Sequence, residues 1–456
     1  MAVAAVRALL RRAGTTLGPR DTRLVTAGAA LLLALATALQ RPAPRFFDDA
    51  ATYWHGAKAL VGGGDVVVGG GLAMRGVLTS VLYAPAAAVT AAVGPSAAGL
   101  AVLVQNAVLI AVLGAVLLPR LVALWRPVTP AVIAVCAVGC WATTATFAPY
   151  PLTDLWAAAL LLTAVVVVAG PRRRSLAVAG LAAGAALNLR PAHLVPVALV
   201  LGFVLLWRRA AGAWFALGIA VALLPQFLLG AAQGWGASPW PPGTAGVARL
   251  QAGYAAYVVR YDTLAARAGH SPLFFCSPEM AGALGPTPPA STGEFVGAVL
   301  HHLPQSAVLL AEKAAAALHW PVATPYFTSG PRLNGVFAVL VTLLTVVGAA
   351  ALLRVTLAHR RNGLTPSRLV PLVAWLGSAA TLLTSTTETR FALPLVLFGI
   401  AGCAMLAPVP VPRRRGHWGW VVGALVVAAV VYAVGTAGLG HPVAGGAGTL
   451  ADCTAS

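Results

Sequence analysis

Acidic residues are scarce in this chain: 11 Asp and Glu stand against 30 Lys and Arg in 456 residues. Charge of either sign is scarce too, at 9% of residues, where a soluble domain carries roughly a quarter. That excludes an ordinary soluble globular domain. Lysine is nearly missing, with only Lys58 and Lys313. The five cysteines show no metal-ligand spacing, which argues against a structural zinc site. No G-x-S-x-G elbow and no P-loop occurs, so Ser-hydrolase and P-loop chemistry are not indicated. Gly62–Gly64 and Gly69–Gly71 read as flexible joints.

What is abundant is apolar. Hydrophobic residues make up 59% of the chain and its mean hydropathy is +0.86. Apolar stretches near the roughly 20-residue length of a bilayer-crossing helix recur along it. The formal charge of +19 does not point to nucleic acid, because its Arg clusters are short and alternate with apolar runs. That alternation carries topology. The Ala-, Gly-, Val- and Arg-rich composition suggests a bacterium with a GC-rich genome.

Basic clusters at Arg7–Arg23, Arg120/Arg126, Arg172–Arg174, Arg208/Arg209, Arg354–Arg368 and Arg413–Arg415 mark the cytoplasmic side. The expected fold is an all-α polytopic membrane protein. Its eleven spans are 24–40, 97–118, 130–148, 155–170, 176–189, 192–207, 213–231, 334–353, 369–386, 391–407 and 418–438. The N-terminus lies inside, the C-terminus outside, and the first run reads as a retained anchor. In this threading 10 of the 11 acids, all but Asp21, fall outside. Residues 1–456 form one membrane domain with two long extracytoplasmic loops, 41–96 and 232–333. The run 76–93 does not fit as a span and reads as a membrane-flush or re-entrant piece. Residues 294–320 read as an amphipathic surface helix. Cys276 and Cys453 both fall outside, where a disulfide could form; two free thiols are the alternative.

The side chains suited to chemistry gather on the outer side. As a helix, residues 45–61 carry Phe46, Phe47, Ala50, Tyr53 and Trp54 on one face, expected to meet lipid. Arg45, Asp48, Thr52, His55 and Lys58 fall on the other, toward a cavity or water, with Asp49 at the border. Asp154 stands at the mouth of the 155–170 run, Arg190 and Arg390 at outer turns beside Asn188 and Glu388, and Arg75 before the 76–93 run. Arg190 and Arg390 break the positive-inside pattern. A capping role for Asp154 is the bland reading. The aromatics Trp235, Trp240, Tyr254, Tyr257 and Tyr261 would seat the second loop on the bilayer.

The order of an acidic pair plus Tyr after the first span, then P-L-T-D-L, then G-L-A-A-G-A-A-L-N-L-R-P resembles the GT-C glycosyltransferases. The nearest likeness is to the protein-mannosyltransferase and aminoarabinose-transferase branch, over roughly residues 24–230, with an echo in T-E-T-R-F-A-L-P-L. Two features depart from that pattern: the acidic motif is Asp-Asp rather than Asp-Glu, and Arg75 lacks a following Pro-Pro pair. The resemblance implies an enzyme of the bacterial plasma membrane that takes a sugar from a polyprenyl-phosphate donor to an acceptor hydroxyl on the extracytoplasmic face. Such a reaction needs one carboxylate base, assigned first to Asp48 and next to Asp49. Arg75, Arg190, Arg390 and Lys58 would hold the departing phosphate. Tyr53, His55, Asp154 and Glu388 complete the candidate substrate site. A direct displacement inverts the anomeric centre. No cofactor is expected; a divalent metal shared by Asp48 and Asp49 is disfavoured, since adjacent helical residues point about 100° apart. The acceptor is a cell-envelope glycan, a protein, a lipid or a natural product. The rival readings are a flippase or transporter of envelope lipid or oligosaccharide, which calls for charges at mid-bilayer depth, and a non-catalytic scaffold.

Overall fold

A computed structural model of the chain describes residues 18–64, 76–170, 172–235, 238, 240–263, 272–285, 287–321, 326, 331–360, 365–385, 387–407, 417–443 and 449–455. Arg75 lies outside the described residues. Each of the eleven apolar runs is helical. In chain order the helices are α1 (Pro19–Ala38), α2 (Asp48–Gly62), α3 (Leu78–Leu82), α4 (Ala84–Val93), α5 (Ala98–Val112), α6 (Pro130–Thr144), α7 (Asp154–Val168), α8 (Arg173–Leu189), α9 (Leu194–Arg208) and α10 (Ala213–Ala232). A segment follows with α11 (Thr244–Ala255), β1 (Val258–Thr263), β2 (Pro272–Cys276), α12 (Pro278–Leu284), α13 (Thr292–His301) and α14 (Leu303–Ala316). The remaining elements are α15 (Pro331–Arg360), α16 (Pro366–Thr384), α17 (Leu393–Ala404), α18 (His417–Gly438), β3 (Pro442–Val443) and α19 (Leu450–Ala455).

Among the described residues, seven helical runs are long and apolar enough to cross a membrane: Arg20–Ala38, Pro95–Val122, Pro130–Phe147, Pro191–Ala232, Arg332–Ala358, Pro366–Thr384 and Gly419–Gly438. Asp154–Val168 and Thr389–Ala404 are apolar but shorter. The protein is an all-α polytopic membrane protein. The run Pro191–Ala232 is broken at Arg209, whose φ of 47° ends α9. α5 continues through a π-helical turn at Leu113–Leu117 to Val122. The 76–93 region folds as two short helices interrupted at Tyr83. At 1.5 Å per residue, neither approaches the ~30 Å of a hydrocarbon core.

Small residues let the helices close on one another. A Cβ on Gly348 of α15 would overlap the backbone of Gly399 in α17, and one on Gly402 would overlap Gly348. These glycines therefore fix how closely α15 and α17 approach. α7 and α17 are almost wholly enclosed. The main core joins Leu103, Ile110, Leu162, Val165, Val396 and Phe398.

The described residues of the 232–333 segment hold two paired strands and four helices. β1 and β2 pair antiparallel, and β3 adds to β2 in the order β1-β2-β3. A disulfide joins Cys276 to Cys453, with 5.5 Å between their Cα atoms. Ser291 starts α13: its Oγ accepts from the Glu294 N–H at 3.2 Å, and the Glu294 carboxylate accepts from the Ala290 N–H at 2.8 Å. α13 and α14 are helical as expected, and α14 exposes one face, with Leu303 and Val308 open, while its other face is buried. It packs against β1 and α18, burying Leu309, Lys313 and Ala316. Three of the five aromatics expected to seat this segment on a bilayer pack within the protein. Tyr254 and Tyr257 pack together, Tyr254 meets Phe274, and Tyr261 stacks on Phe274. The reason is that short strands and an apolar helix face give these rings a protein surface to bury against.

Candidate functional site

Helix α2 begins at the acidic pair. Carboxylates suit that position, because the first-turn N–H groups carry partial positive charge. Asp48 has a φ of 43°, a left-handed backbone that Asp tolerates better than most residues. The turn at Asp48 sends the two carboxylates different ways. Asp48 is exposed, together with His55 and Lys58, while Ala50, Tyr53, Trp54 and Ala57 are buried. The expectation that the aromatic face meets lipid is thus overturned, while the Asp48 face, expected toward a cavity or water, is exposed. The aromatic face packs into the protein, with Trp54 edge-on to Phe46 at 5.4 Å. A rigid phenol secures the start of the helix: the Tyr326 hydroxyl accepts from the Ala50 N–H at 3.2 Å. Its ring meets Tyr150 at 5.0 Å and Phe47 at 6.3 Å.

The side chain that turns inward is Asp49. Its Oδ2 lies 2.9 Å from Arg390 Nη2. Arg390 Nε also donates to Glu388 Oε2 at 2.7 Å, and its Nη1 lies 3.7 Å from Asp154 Oδ2. Asp154 in turn pairs with Arg190. Three carboxylates and two guanidiniums therefore form one connected cluster. They come from the start of α2, the start of α7, the turn after α8 and the turn before α17. Asp49 is the accessible member, with a side chain 26% exposed; Arg390 is 5% and Asp154 2% exposed. Asp154 stands in the first turn of α7, yet its carboxylate is committed to the arginines, beyond a capping role. Burial pushes the Glu388 carboxyl above its ordinary value, and the neighbouring Arg390 opposes that shift. Burial likewise raises the Tyr261 and Tyr326 phenols.

Neighbouring contacts hold this arrangement. The Phe391 ring lies 4.6 Å from the Arg190 guanidinium and 5.7 Å from that of Arg390. The Tyr261 N–H donates to the Thr387 carbonyl at 2.9 Å, docking β1 beside the turn. Asn188 Oδ1 accepts from the Leu78 N–H, and Gln226 Oε1 from the Val77 N–H, each at 2.9 Å. A Cβ on Gly76 would overlap Asn188, so only glycine permits that approach. Tyr53 is buried on α2. Among the described residues no group of three or more His, Cys, Asp or Glu side chains is placed to hold a metal ion.

Two cavities open onto the cluster. A void of about 20 Å³, enough for a single water, is lined by Asp154, Arg190, His193, Thr381 and Arg390. A larger cavity of about 580 Å³ is lined by Arg190, Arg390, Phe391, Trp235, Trp240 and Tyr261, the last edge-on to Phe391 at 6.5 Å. It combines two fixed cations with apolar and aromatic walls. That chemistry suits an anion carried on an apolar or sugar-like body.

The structure brings together Asp49, Asp154, Arg190, Glu388 and Arg390. It leaves Asp48, His55 and Lys58 on the exposed side of α2. Tyr326, Phe391 and the inward role of Tyr261 were not legible in the sequence; Tyr326 follows no motif, and only its bonded geometry singles it out. Comparison with protein-family models, with curated proteins and with solved structures found no match.

Proposed function

We propose that the chain is an integral-membrane glycosyltransferase. It moves a sugar from a polyprenyl-phosphate donor to an acceptor hydroxyl, on the extracytoplasmic face of a bacterial plasma membrane. The observation that carries this reading is one ion-pair cluster in which Arg390 holds the accessible Asp49 and Arg190 holds Asp154, with both guanidiniums lining a cavity of about 580 Å³. The Cys276–Cys453 disulfide supports an oxidising compartment for this side. The Arg clusters at the opposite helix ends support the same orientation.

The donor phosphate binds Arg190 and Arg390. With every group ionised the cluster has three negative and two positive charges, so a bare anion is repelled unless a charge changes. Two features meet that requirement. Burial favours the neutral form of Glu388. An incoming phosphate also competes with Asp49 for Arg390, and the displaced Asp49 can then act as a base. The acceptor oxygen attacks the anomeric carbon as the bond from that carbon to the phosphate oxygen breaks. The acceptor proton passes to Asp49, and the phosphate departs onto the two guanidiniums. One displacement inverts the anomeric centre. A transporter is the weaker reading, because the cluster is built from helix ends rather than from broken helices at mid-span.

The test is sugar transfer in membranes supplied with labelled polyprenyl-phosphate mannose or arabinose. Asp49→Asn is expected to lose about 10²–10⁴-fold in rate, the usual worth of a positioned base. Asp48→Asn should stay near wild type. Equal labelling in all three proteins, or none in wild type with either donor, sinks the proposal.

A further inference from the structure

Gln105 and Asn106 are the polar exceptions in α5, which belongs to a run apolar enough to cross a membrane. Asn106 is buried, at 2% exposure. A polar side chain there is costly unless its groups find partners. Its amide donates to the Ala148 carbonyl at 3.0 Å and to the Tyr150 carbonyl at 2.9 Å, and its oxygen accepts from Trp156 Nε1 at 2.9 Å. The buried Tyr83 hydroxyl, which donates to the Leu152 carbonyl at 2.7 Å, stands 3.2 Å from the same oxygen. Three carbonyls of the turn between α6 and α7 are thus held by two side chains from outside it.

That turn leads directly into Asp154, which pairs with Arg190 and lies 3.7 Å from Arg390. Tyr150, in the same turn, packs on Tyr326, which holds the start of the Asp49 helix. Tyr83 belongs to the 76–93 piece, and that piece has further attachments. Its Leu78 N–H is held by Asn188, two residues before Arg190, and its Leu82 carbonyl accepts from Gln105 at 2.8 Å. Tyr83, Ala86 and Ala87 pack with Trp54 and Ala57 of α2. One short piece therefore touches the helix of Asp49, the turn before Asp154 and the end of α8 next to Arg190. An apolar side chain could fill the space at position 106. What Asn106 adds is a fixed geometry for the turn, the property that a satisfied buried polar network supplies.

We infer that Asn106 and Tyr83 are positioning residues for the donor site: through the 148–152 turn they set Asp154, and Asp154 sets the spacing of Arg190 and Arg390 that receives a phosphate. The inference rests on the transfer reading above. Neither residue lines the two cavities of the charged cluster, so their effect on a substrate passes through Asp154.

The test uses full-length protein and two measurements. Transfer kinetics in liposomes, with labelled polyprenyl-phosphate mannose or arabinose, compare wild type with Asn106→Leu and Tyr83→Phe. Misplaced cations raise the donor KM as well as lowering kcat. The expected loss in kcat/KM is about 10–10²-fold for Asn106→Leu and smaller for Tyr83→Phe. Mere loss of folded protein lowers the apparent kcat and leaves KM alone. Tyr83→Phe removes a single hydroxyl and carries the test should Asn106→Leu fail to fold. Thermal unfolding in detergent then closes a double-mutant cycle of Tyr83→Phe with Asp154→Asn. The combined loss should fall short of the sum of the two, because Tyr83 acts through Asp154. An unchanged donor KM in every variant that folds overturns the inference. So do melting losses that simply add. A wild type that moves no sugar counts against the enzyme, and the unfolding cycle, read without transfer, then decides alone whether Tyr83 sets Asp154.

Discussion

Asp49 and Arg390, 341 positions apart in the chain, meet in a charge-assisted pair with 2.9 Å between Oδ2 and Nη2. Arg390 cannot satisfy Asp49, Glu388 and Asp154 together except with a planar guanidinium in which several N–H groups point in fixed directions. Lysine offers a single compact charge on a flexible stem. Arg390→Lys is therefore expected to raise the donor KM and lower kcat together, by about 10²-fold or more in kcat/KM. Arg390→Ala leaves the buried Glu388 carboxyl without its cation and should cost about 3–5 kcal/mol of stability. Kinetics on the first variant and thermal unfolding of the second in detergent check these outcomes. Wild-type kcat/KM in Arg390→Lys would remove Arg390 from the site.

Lys313 supplies a pH prediction independent of the site. It is fully buried, and its ammonium donates to the Ala255 carbonyl at 2.9 Å. Burial pulls its pKa from 10.5 down to about 7. Between those two values the unfolded chain binds the proton and the folded chain does not. Stability should therefore rise with pH from about 7 toward 10.5, and the burden of the buried charge is greatest below 7. Lys313→Met removes that dependence. Its melting temperature should exceed that of wild type at pH 6 and fall to or below it at pH 9. Parallel curves for the two proteins across this range would contradict the assignment.

The Cys276–Cys453 bridge joins β2 to α19 across 177 positions. Removing a native disulfide costs about 2–5 kcal/mol in small extracellular domains. The Cys276→Ser/Cys453→Ser pair should lower the unfolding temperature by several degrees. A membrane-impermeant maleimide applied to intact cells should label wild type only after reduction. Cys136, Cys140 and Cys403, packed among the helices, should stay unlabelled. Labelling that requires cell lysis would place this side in the cytoplasm.

Much of the helix layout was legible because each apolar run is long and bounded by Arg, Pro or Gly. Each of the eleven runs coincides with a helix, with ends shifted by a few residues. Arg190 and Arg390 were legible as exceptions, two cations where the charge pattern asks for none. The choice between Asp48 and Asp49 was not. A 100° periodicity sorts residues into two faces but does not say which face meets lipid. Packing of Tyr53, Trp54 and Ala57 into the protein decided it. The sheet was hidden as well, because β3 is two residues long and its partner β2 lies far back in the sequence. Tyr326 belongs to no periodic element, so nothing local marked it.

The return of Pro442–Val443 and Cys453 to β2 also governs how the molecule is made. During synthesis β2 emerges with β1 as its only strand partner. Its other edge stays open while α15, α16, α17 and α18 are still being translated and inserted. Only after α18 is in place can Pro442–Val443 close that edge and Cys453 reach Cys276. Completion of this unit thus waits on the four preceding helices, and a fault in any of them leaves β2 with an open edge and Cys276 without Cys453.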